Sequence, residues 1–142
     1  MFTELINNAI AILLLRTVAG ILFFFQGYDK LFNVKLNNVV RTFSEPLYKI
    51  HIPAFLLKPA IGISSIIELV CGLLLFFGLF KNLSLFFLAG NLVFVAFIFS
   101  CMKPMWDLQY YFPRLLLIFI LLMLPPTSDI FSLDYLYSLG IK

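Results

Sequence analysis

Four polar side chains stand inside apolar stretches of this sequence, where they could do chemistry within a membrane. Glu68 lies near the middle of residues 61–80, a run about as long as a membrane-spanning helix needs to be. Arg16 and Arg114 lie in the first and last apolar stretches, and Asn91 lies in the third. A carboxylate at that depth costs about 3 kcal/mol if unpaired, so Glu68 must face the bundle interior, be protonated or pair with a cation.

Counting residues along antiparallel neighbours predicts that Arg16, Glu68, Asn91 and Arg114 converge in one polar layer. Arg16 is expected about 8 Å further across than Glu68 by the helical rise, within reach of a guanidinium. A carboxylate held by arginine costs less than either buried charge alone. Two interpretations stay open: the layer fixes the register of the helices, or it binds a proton or an anionic or quinone-like ligand. Arg16 could also snorkel to the membrane interface.

The composition predicts an integral membrane protein. Of the 142 residues, 63% are hydrophobic and 12% are charged, whereas a soluble domain is about half apolar and a quarter charged. The cations flank the apolar stretches, where lipid headgroups explain them, so the net charge of +3 indicates no nucleic-acid binding. No cleavage site of small residues follows the first apolar stretch, so we expect it to remain as a helix.

The apolar stretches predict an all-α, polytopic membrane protein, namely a four-transmembrane-helix bundle that forms one domain over residues 1–142. The four spans are expected at about residues 9–26, 60–80, 83–100 and 107–124. The longest polar segment separates the first two spans and contains KLNNVVRTF at residues 35–43. Its apolar residues recur at helical spacing, which predicts an interfacial amphipathic helix with a basic polar face.

Small and polar residues share one face of each of the first two spans. Ala9, Arg16, Gly20 and Gly27 recur at spacings of seven, four and seven. The second span repeats the pattern, with Ser65, Glu68 and Gly72 on one face. Small residues at helical spacing let neighbouring helices approach closely, so these faces should pack inside the bundle.

The fourth span is too short if it begins after Pro113. Residues 115–124 are ten apolar residues, roughly 15 Å at the helical rise, against a hydrocarbon core of about 30 Å. We therefore expect the helix to start near Asp107 and to include Pro113, which carries Arg114 into the membrane. In the alternative, Pro113 begins the helix and Arg114 lies at the headgroups.

Aromatic and basic residues indicate where the chain meets the membrane surface. Trp106, Tyr110 and Tyr111 are typical of an interfacial aromatic cluster. The connections after the first and third spans hold six lysines and arginines, whereas the opposite side holds two. The positive-inside rule then places both termini outside the cytoplasm.

No catalytic or metal-binding pattern is evident in the sequence. It contains no nucleophile–base pair, metal cluster, phosphate loop or pair of haem ligands. Cys71 and Cys101 differ in expected depth by about 15 Å, so we interpret them as packing residues and not as a disulfide. The chain itself is therefore not expected to be an enzyme.

Several short motifs resemble those of the DoxX family of small four-helix membrane proteins, and the resemblance covers nearly the whole chain. They are Arg16 with Gly20, then Gly27-x-x-Lys30-Leu31, Ile52-Pro53, Glu68-x-x-x-Gly72 before three leucines, and Ser132-Leu133-Asp134. The resemblance marks Gly20, Gly27, Lys30, Gly72 and Asp134 as family-motif residues. It also implies a bundle in a bacterial inner membrane.

The resemblance further implies an association with redox systems. DoxX-like proteins include a subunit of a thiosulfate:quinone oxidoreductase and partners of membrane-bound detoxifying enzymes. Related thiol-redox membrane proteins carry a cysteine pair that this chain lacks, which argues against a dithiol role. Animal relatives act as assembly chaperones for receptors. A family resemblance of this kind indicates the fold much better than the activity.

Three functions follow as hypotheses. The first is an accessory or quinone-contacting subunit of a membrane redox complex, with no evident cofactor apart from a quinone. The second is a structural partner that helps another membrane protein, or a second copy of the chain, to assemble in the bilayer. The third is a small transporter in which Glu68 carries the proton.

Overall fold

The structure is a computed structural model that describes residues 2–48, 54–102, 108–125 and 128–140. All regular secondary structure in these residues is helical, as predicted. A π-helical turn, Asp29–Asn33, directly follows the first helix. The α-helices are α1 (Phe2–Tyr28), α2 (Leu36–Tyr48), α3 (Ala54–Phe77), α4 (Lys81–Met102), α5 (Leu108–Met123) and α6 (Leu133–Gly140).

Three helical segments in the described part of the chain are long and apolar enough to cross a membrane. They are Ile6–Asn33, Phe55–Phe77 and Lys81–Cys101. A shorter apolar helix, Tyr111–Met123, lies within α5. Many large apolar side chains of these helices, such as Leu14, are exposed. An outward apolar surface of this kind suits lipid.

α1 and α3 pack backbone against backbone through glycines. A Cβ atom added at Gly72 would lie 2.5 Å from the backbone nitrogen of Phe24, and one added at Gly27 would lie 2.5 Å from that of Leu69. A Cβ at Gly20 would lie 2.9 Å from the carbonyl oxygen of Gly72. These approaches leave no room for a side chain and set the register between α1 and α3.

α1 begins earlier than the sequence analysis predicted. The first span was expected from about Ala9, with Asn7 and Asn8 at its start, but α1 begins at Phe2. No glycine or proline occurs between Phe2 and Ala19, so nothing in the backbone chemistry stops the helix. The beginning of the apolar stretch is therefore not the beginning of the helix.

A tight turn joins α3 to α4, and the C-terminal segment holds it. Gly78 and Phe80 in this turn have positive φ angles of 71° and 47°. The Asp134 carboxylate accepts hydrogen bonds from the backbone nitrogens of Phe80 and Lys81, each at 2.9 Å. The Asp134 nitrogen donates to the Gly78 carbonyl at 3.0 Å. Asp134 therefore caps the first turn of α4 from a distant part of the chain.

The buried core joins four helices. Cys71 is among its residues, and both Cys71 and Cys101 are free thiols. The core residues come from α1, α3, α4 and α5 and are Ala19, Phe23, Cys71, Leu75, Leu85, Leu88, Leu92, Ile118 and Leu121. α5 thus belongs to the same packed bundle as the three longer helices.

We expect Gly72→Ala to destabilise the bundle, because its new methyl group would press on the backbone of α1 and the close approach would have to open. Overpacking of this kind costs about 1–3 kcal/mol. Gly90→Ala is the matched control, since a Cβ at Gly90 meets no atom within 4 Å. Unfolding in detergent, followed by helical circular dichroism, measures both variants. Equal midpoints for the two would contradict the assigned α1–α3 contact.

Candidate functional site

Glu68 is buried and is held by donors from two other elements. Its exposed fraction is 1%. The Lys30 Nζ atom donates to both carboxylate oxygens, at 2.9 and 2.6 Å. The Asn91 Nδ2 atom donates to Oε1 at 3.2 Å. The lysine neutralises the charge, and the amide satisfies a further acceptor position, so the carboxylate is stabilised within the bundle.

The α3–α4 hairpin places Glu68 and Asn91 at one depth. Glu68 lies ten residues before Gly78 (78 − 68), and Asn91 lies ten residues after Lys81 (91 − 81). Antiparallel helices joined by a short turn bring such positions side by side. The structure therefore brings together these two members of the expected polar layer.

Lys30 is the counterion that the sequence analysis did not assign. The sequence analysis named it only as a family-motif residue, three positions after Gly27. In the structure the π-helical turn continues α1, with the Val34 nitrogen donating to the Asp29 carbonyl at 2.8 Å. Lys30 therefore stays on the face of α1 that packs against α3. In the sequence, the spacing of three residues between Gly27 and Lys30 was the signal that both lie on this face.

Arg16 does not join the layer around Glu68, contrary to expectation. Its guanidinium is buried at the other end of the bundle and donates to the carbonyls of Leu75, Phe76 and Phe131, each at 3.2 Å. Its Nε atom lies 3.5 Å from Oδ2 of Asp129. Arg16 is also not a snorkelling residue, because it is only 1% exposed.

The register of the glycine contacts explains why Arg16 lies away from Glu68. Gly20 packs beside Gly72, so Arg16, one turn earlier on α1, reaches the end of α3 near Gly78. Gly78 lies ten residues from Glu68, which is about 15 Å at the helical rise. The predicted depth of Arg16 relied on a helix that starts near residue 9, and the packing does not follow that boundary.

Asp129 forms a second buried polar cluster with Arg16 and Lys81. Its Oδ2 atom accepts a hydrogen bond from the Lys81 Nζ atom at 3.2 Å, and its exposed fraction is 1%. Two cations thus share one carboxylate. The Arg16 Nε and Asp129 Oδ1 atoms have no hydrogen-bond partner within the described ranges. The cluster joins the C-terminal segment to α1, α3 and α4, and this is the role of a structural pin.

A cavity of about 110 Å³ lies beside the Lys30–Glu68 pair. α1 to α5 and the π-helical turn all contribute to its wall. Its polar lining residues are Gln26, Lys30, Ser64, Glu68, Tyr111 and Arg114, and its apolar ones include Val39, Leu57, Leu92, Val95 and Ile98. Apolar walls with a few convergent polar groups are typical of small-molecule sites.

Two polar groups of this cavity have unmet hydrogen-bonding capacity. The Gln26 Oε1 atom is buried without a hydrogen-bond partner. Arg114 makes no hydrogen bond or ion pair with any residue in the described part of the chain. An acceptor and a cationic donor are therefore both free to meet a bound molecule.

α5 positions Arg114 in the cavity wall. The helix begins at Leu108 and continues through Pro113, as the length argument required. Arg114 is half-buried and lies inside α5, so Pro113 does not begin the helix. It lines the same cavity as Glu68 without forming an ion pair with it.

The remaining predicted residues have other positions. Trp106 lies outside the described residues, as does the side chain of Tyr110, whereas Tyr111 lines the cavity. Of the family-motif residues, the glycines form the α1–α3 contact and Asp134 caps α4. Within the described ranges, no group of histidine, cysteine and carboxylate side chains could hold a metal ion.

Removing Lys30 should lower the stability of the protein more than removing Glu68. Lys30→Met strands a carboxylate that is 1% exposed, at a cost of about 3–5 kcal/mol. Glu68→Met leaves an ammonium on a long side chain that is 23% exposed and can turn away from the bundle, so it should cost less. The double variant should be milder than Lys30→Met alone. Thermal unfolding in detergent ranks the three, with exposed Lys58→Met as the control near zero. If the double variant is the least stable of the three, the pairing of Lys30 with Glu68 is contradicted.

The two aspartates of the C-terminal segment should also differ. Asp134→Ala removes a helix cap and should cost about 1 kcal/mol, whereas Asp134→Asn keeps an acceptor and should lose less. Asp129→Ala leaves two buried cations without a carboxylate and should cost about 3–5 kcal/mol. The same unfolding measurement separates the two sites. A smaller loss for Asp129→Ala than for Asp134→Ala would argue against the buried cluster.

Comparison with known proteins gives one match. The family model for DoxX matches residues 11–100, which include Lys30, Glu68 and Asn91. No curated protein and no solved structure matches the chain. The match covers 90 of the 142 residues (100 − 11 + 1), more than half of the chain. This chain is therefore a multi-pass membrane protein that belongs to the DoxX family.

Proposed function

We propose that this protein is a non-catalytic accessory subunit of a membrane redox complex and that its cavity binds the head group of a quinone. The observation that supports the proposal is the free Arg114 guanidinium and the free Gln26 Oε1 atom in one apolar-walled cavity. The described titratable residues of the lining are Lys30, Glu68, Tyr111 and Arg114. With the lysine and the carboxylate paired, Arg114 leaves the site with one excess positive charge.

The hydrogen-bonding needs of a quinone suit these two groups. An oxidised head group offers carbonyl oxygens, which accept hydrogen bonds, and Arg114 is a donor only. A reduced head group offers hydroxyls, which can donate to Gln26 Oε1. The apolar lining, with Leu92, Val95 and Ile98 on α4, can pack against the faces of the ring. Each half of the ligand would thus meet a group that has no hydrogen-bond partner among the described residues.

The paired charges favour a neutral or weakly polar ligand over an ion. Lys30 already neutralises Glu68 at 2.6 Å, and a strongly anionic ligand would compete with Glu68 for the lysine. A neutral head group leaves that pair intact and places its oxygens near Arg114. The electrons would come from a partner subunit, because the proposal assigns no redox group to this chain.

The proposal includes a four-transmembrane-helix arrangement with both termini on the periplasmic side of an inner membrane. α5 would be the fourth span, with its 16 residues covering about 24 Å at the helical rise. A short span is accommodated by local thinning of the bilayer or by flanking residues that snorkel. The excess of lysine and arginine in the connections after the first and third spans supports this orientation.

Purification from native membranes in nanodiscs, with mass spectrometry of proteins and lipids, tests the proposed function. We expect a stoichiometric quinone together with a redox enzyme. Arg114→Met should lower quinone occupancy about tenfold, since a hydrogen bond from a charged donor is worth about 1.5–3 kcal/mol. Lys58→Met is the matched control and should retain the quinone.

Other outcomes would replace the proposal. A stoichiometric protein partner without quinone would indicate an assembly role. Proton-coupled flux in liposomes that is lost in Glu68→Gln would indicate a transporter. Protein that carries only bulk lipid would contradict the quinone site.

A further inference from the structure

A groove on the lipid-facing side of α3 and α4 adjoins the cavity. We call it the α3–α4 groove; its lining includes Ala60, Ser64 and Ile67 on α3 and Phe87, Gly90 and Phe94 on α4. Its volume is about 380 Å³, against about 110 Å³ for the cavity. Ala60, Ser64 and Phe94 line both spaces. The groove and the cavity therefore lie side by side and share the part of their walls that these three residues form.

Gly90 keeps this groove open. The glycines of the α1–α3 contact are explained by backbone atoms that a Cβ would strike. At Gly90 an added Cβ would meet nothing within 4 Å, although a glycine inside a helix costs about 1 kcal/mol relative to alanine. The packing of this chain therefore gives no reason for a glycine here, whereas space for another molecule does.

A comparable groove between α1 and α3 shares no wall with the cavity. It has a volume of about 330 Å³ and lies between α1 and α3, with Gly20, Phe24 and Phe76 among its lining residues. None of its lining residues also lines the cavity. Apolar space alone therefore does not distinguish the α3–α4 groove, but the wall that it shares with the Glu68 site does.

We propose that the α3–α4 groove holds the hydrocarbon tail of the ligand whose head group occupies the cavity, with the tail passing between Ser64 and Phe94. This inference rests on the proposed function and adds that the ligand is a long-tailed, lipid-soluble molecule that reaches the site sideways from the bilayer. Asn91 supports the route, because it lines the groove while its Nδ2 atom donates to Glu68 in the site.

Binding of two probes to the protein in nanodiscs tests the tail site. One is a decyl-substituted benzoquinone, and the other is the same benzoquinone without the tail. Gly90→Trp fills the groove from a position with open space, so the fold should persist. It should weaken binding of the decyl compound about tenfold or more, equivalent to about 1.4 kcal/mol. Binding of the tail-less ring should stay the same. Val93→Trp, at an exposed position of α4 outside the groove, should change neither affinity.

The outcomes separate this inference from the proposed function. If neither quinone binds the unmodified protein, both proposals fail. If both bind and Gly90→Trp leaves the decyl compound unaffected, or weakens both probes equally, only the tail site is overturned. A diazirine at the end of the decyl tail gives a second readout, with crosslinks expected around Phe87 and Gly90. Crosslinks around Gly20 and Phe76 would instead place the tail in the other groove and overturn the assignment.

Discussion

A carboxylate inside the hydrocarbon layer has to be held by donors from the protein, because lipid tails supply none. In this chain that constraint falls on Glu68, and its donors come from α4 and from the end of α1. Lys30 can reach the carboxylate only because the helix continues through a π-helical turn instead of ending at Gly27. π-helical turns often occur at functional sites, and here the turn carries the counterion of the buried acid.

The same face of α1 serves two polar clusters with different chemistry. Arg16 and Lys30 are 14 residues apart, about 21 Å along the helix, with close-packed glycines between them. The charged side chains of the Arg16 cluster are all paired, since Arg16 and Lys81 both lie against Asp129. The Lys30 cluster opens onto a cavity that is also lined by Arg114, which forms no ion pair with the residues that the structure describes. This difference is why we assign a structural role to the first cluster and a ligand to the second.

Local features of the sequence predicted much of the fold and only part of the site. Glu68 and Asn91 could be matched because a short hairpin fixes their relative depth. The extension of α5 through Pro113 followed from the thickness of the bilayer. The partner of Arg16 could not be predicted, because the α1–α3 register depends on which glycines meet, and hydropathy carries no such information. The role of Asp129 could not be predicted for a related reason, because its burial depends on the C-terminal segment folding back over Gly78.

The long separation of Asp129 from Arg16 along the sequence has a consequence for biosynthesis. Arg16 enters the membrane early in translation, whereas its carboxylate partner is synthesised 113 residues later (129 − 16). At about 5–20 residues per second, that interval is on the order of ten seconds. During it, the guanidinium has no access to Asp129 and must be accommodated by water, headgroups or the insertion machinery. Residues translated long after the first helix thus complete its charge balance, so a chain truncated before Asp129 would leave Arg16 without the carboxylate that neutralises it.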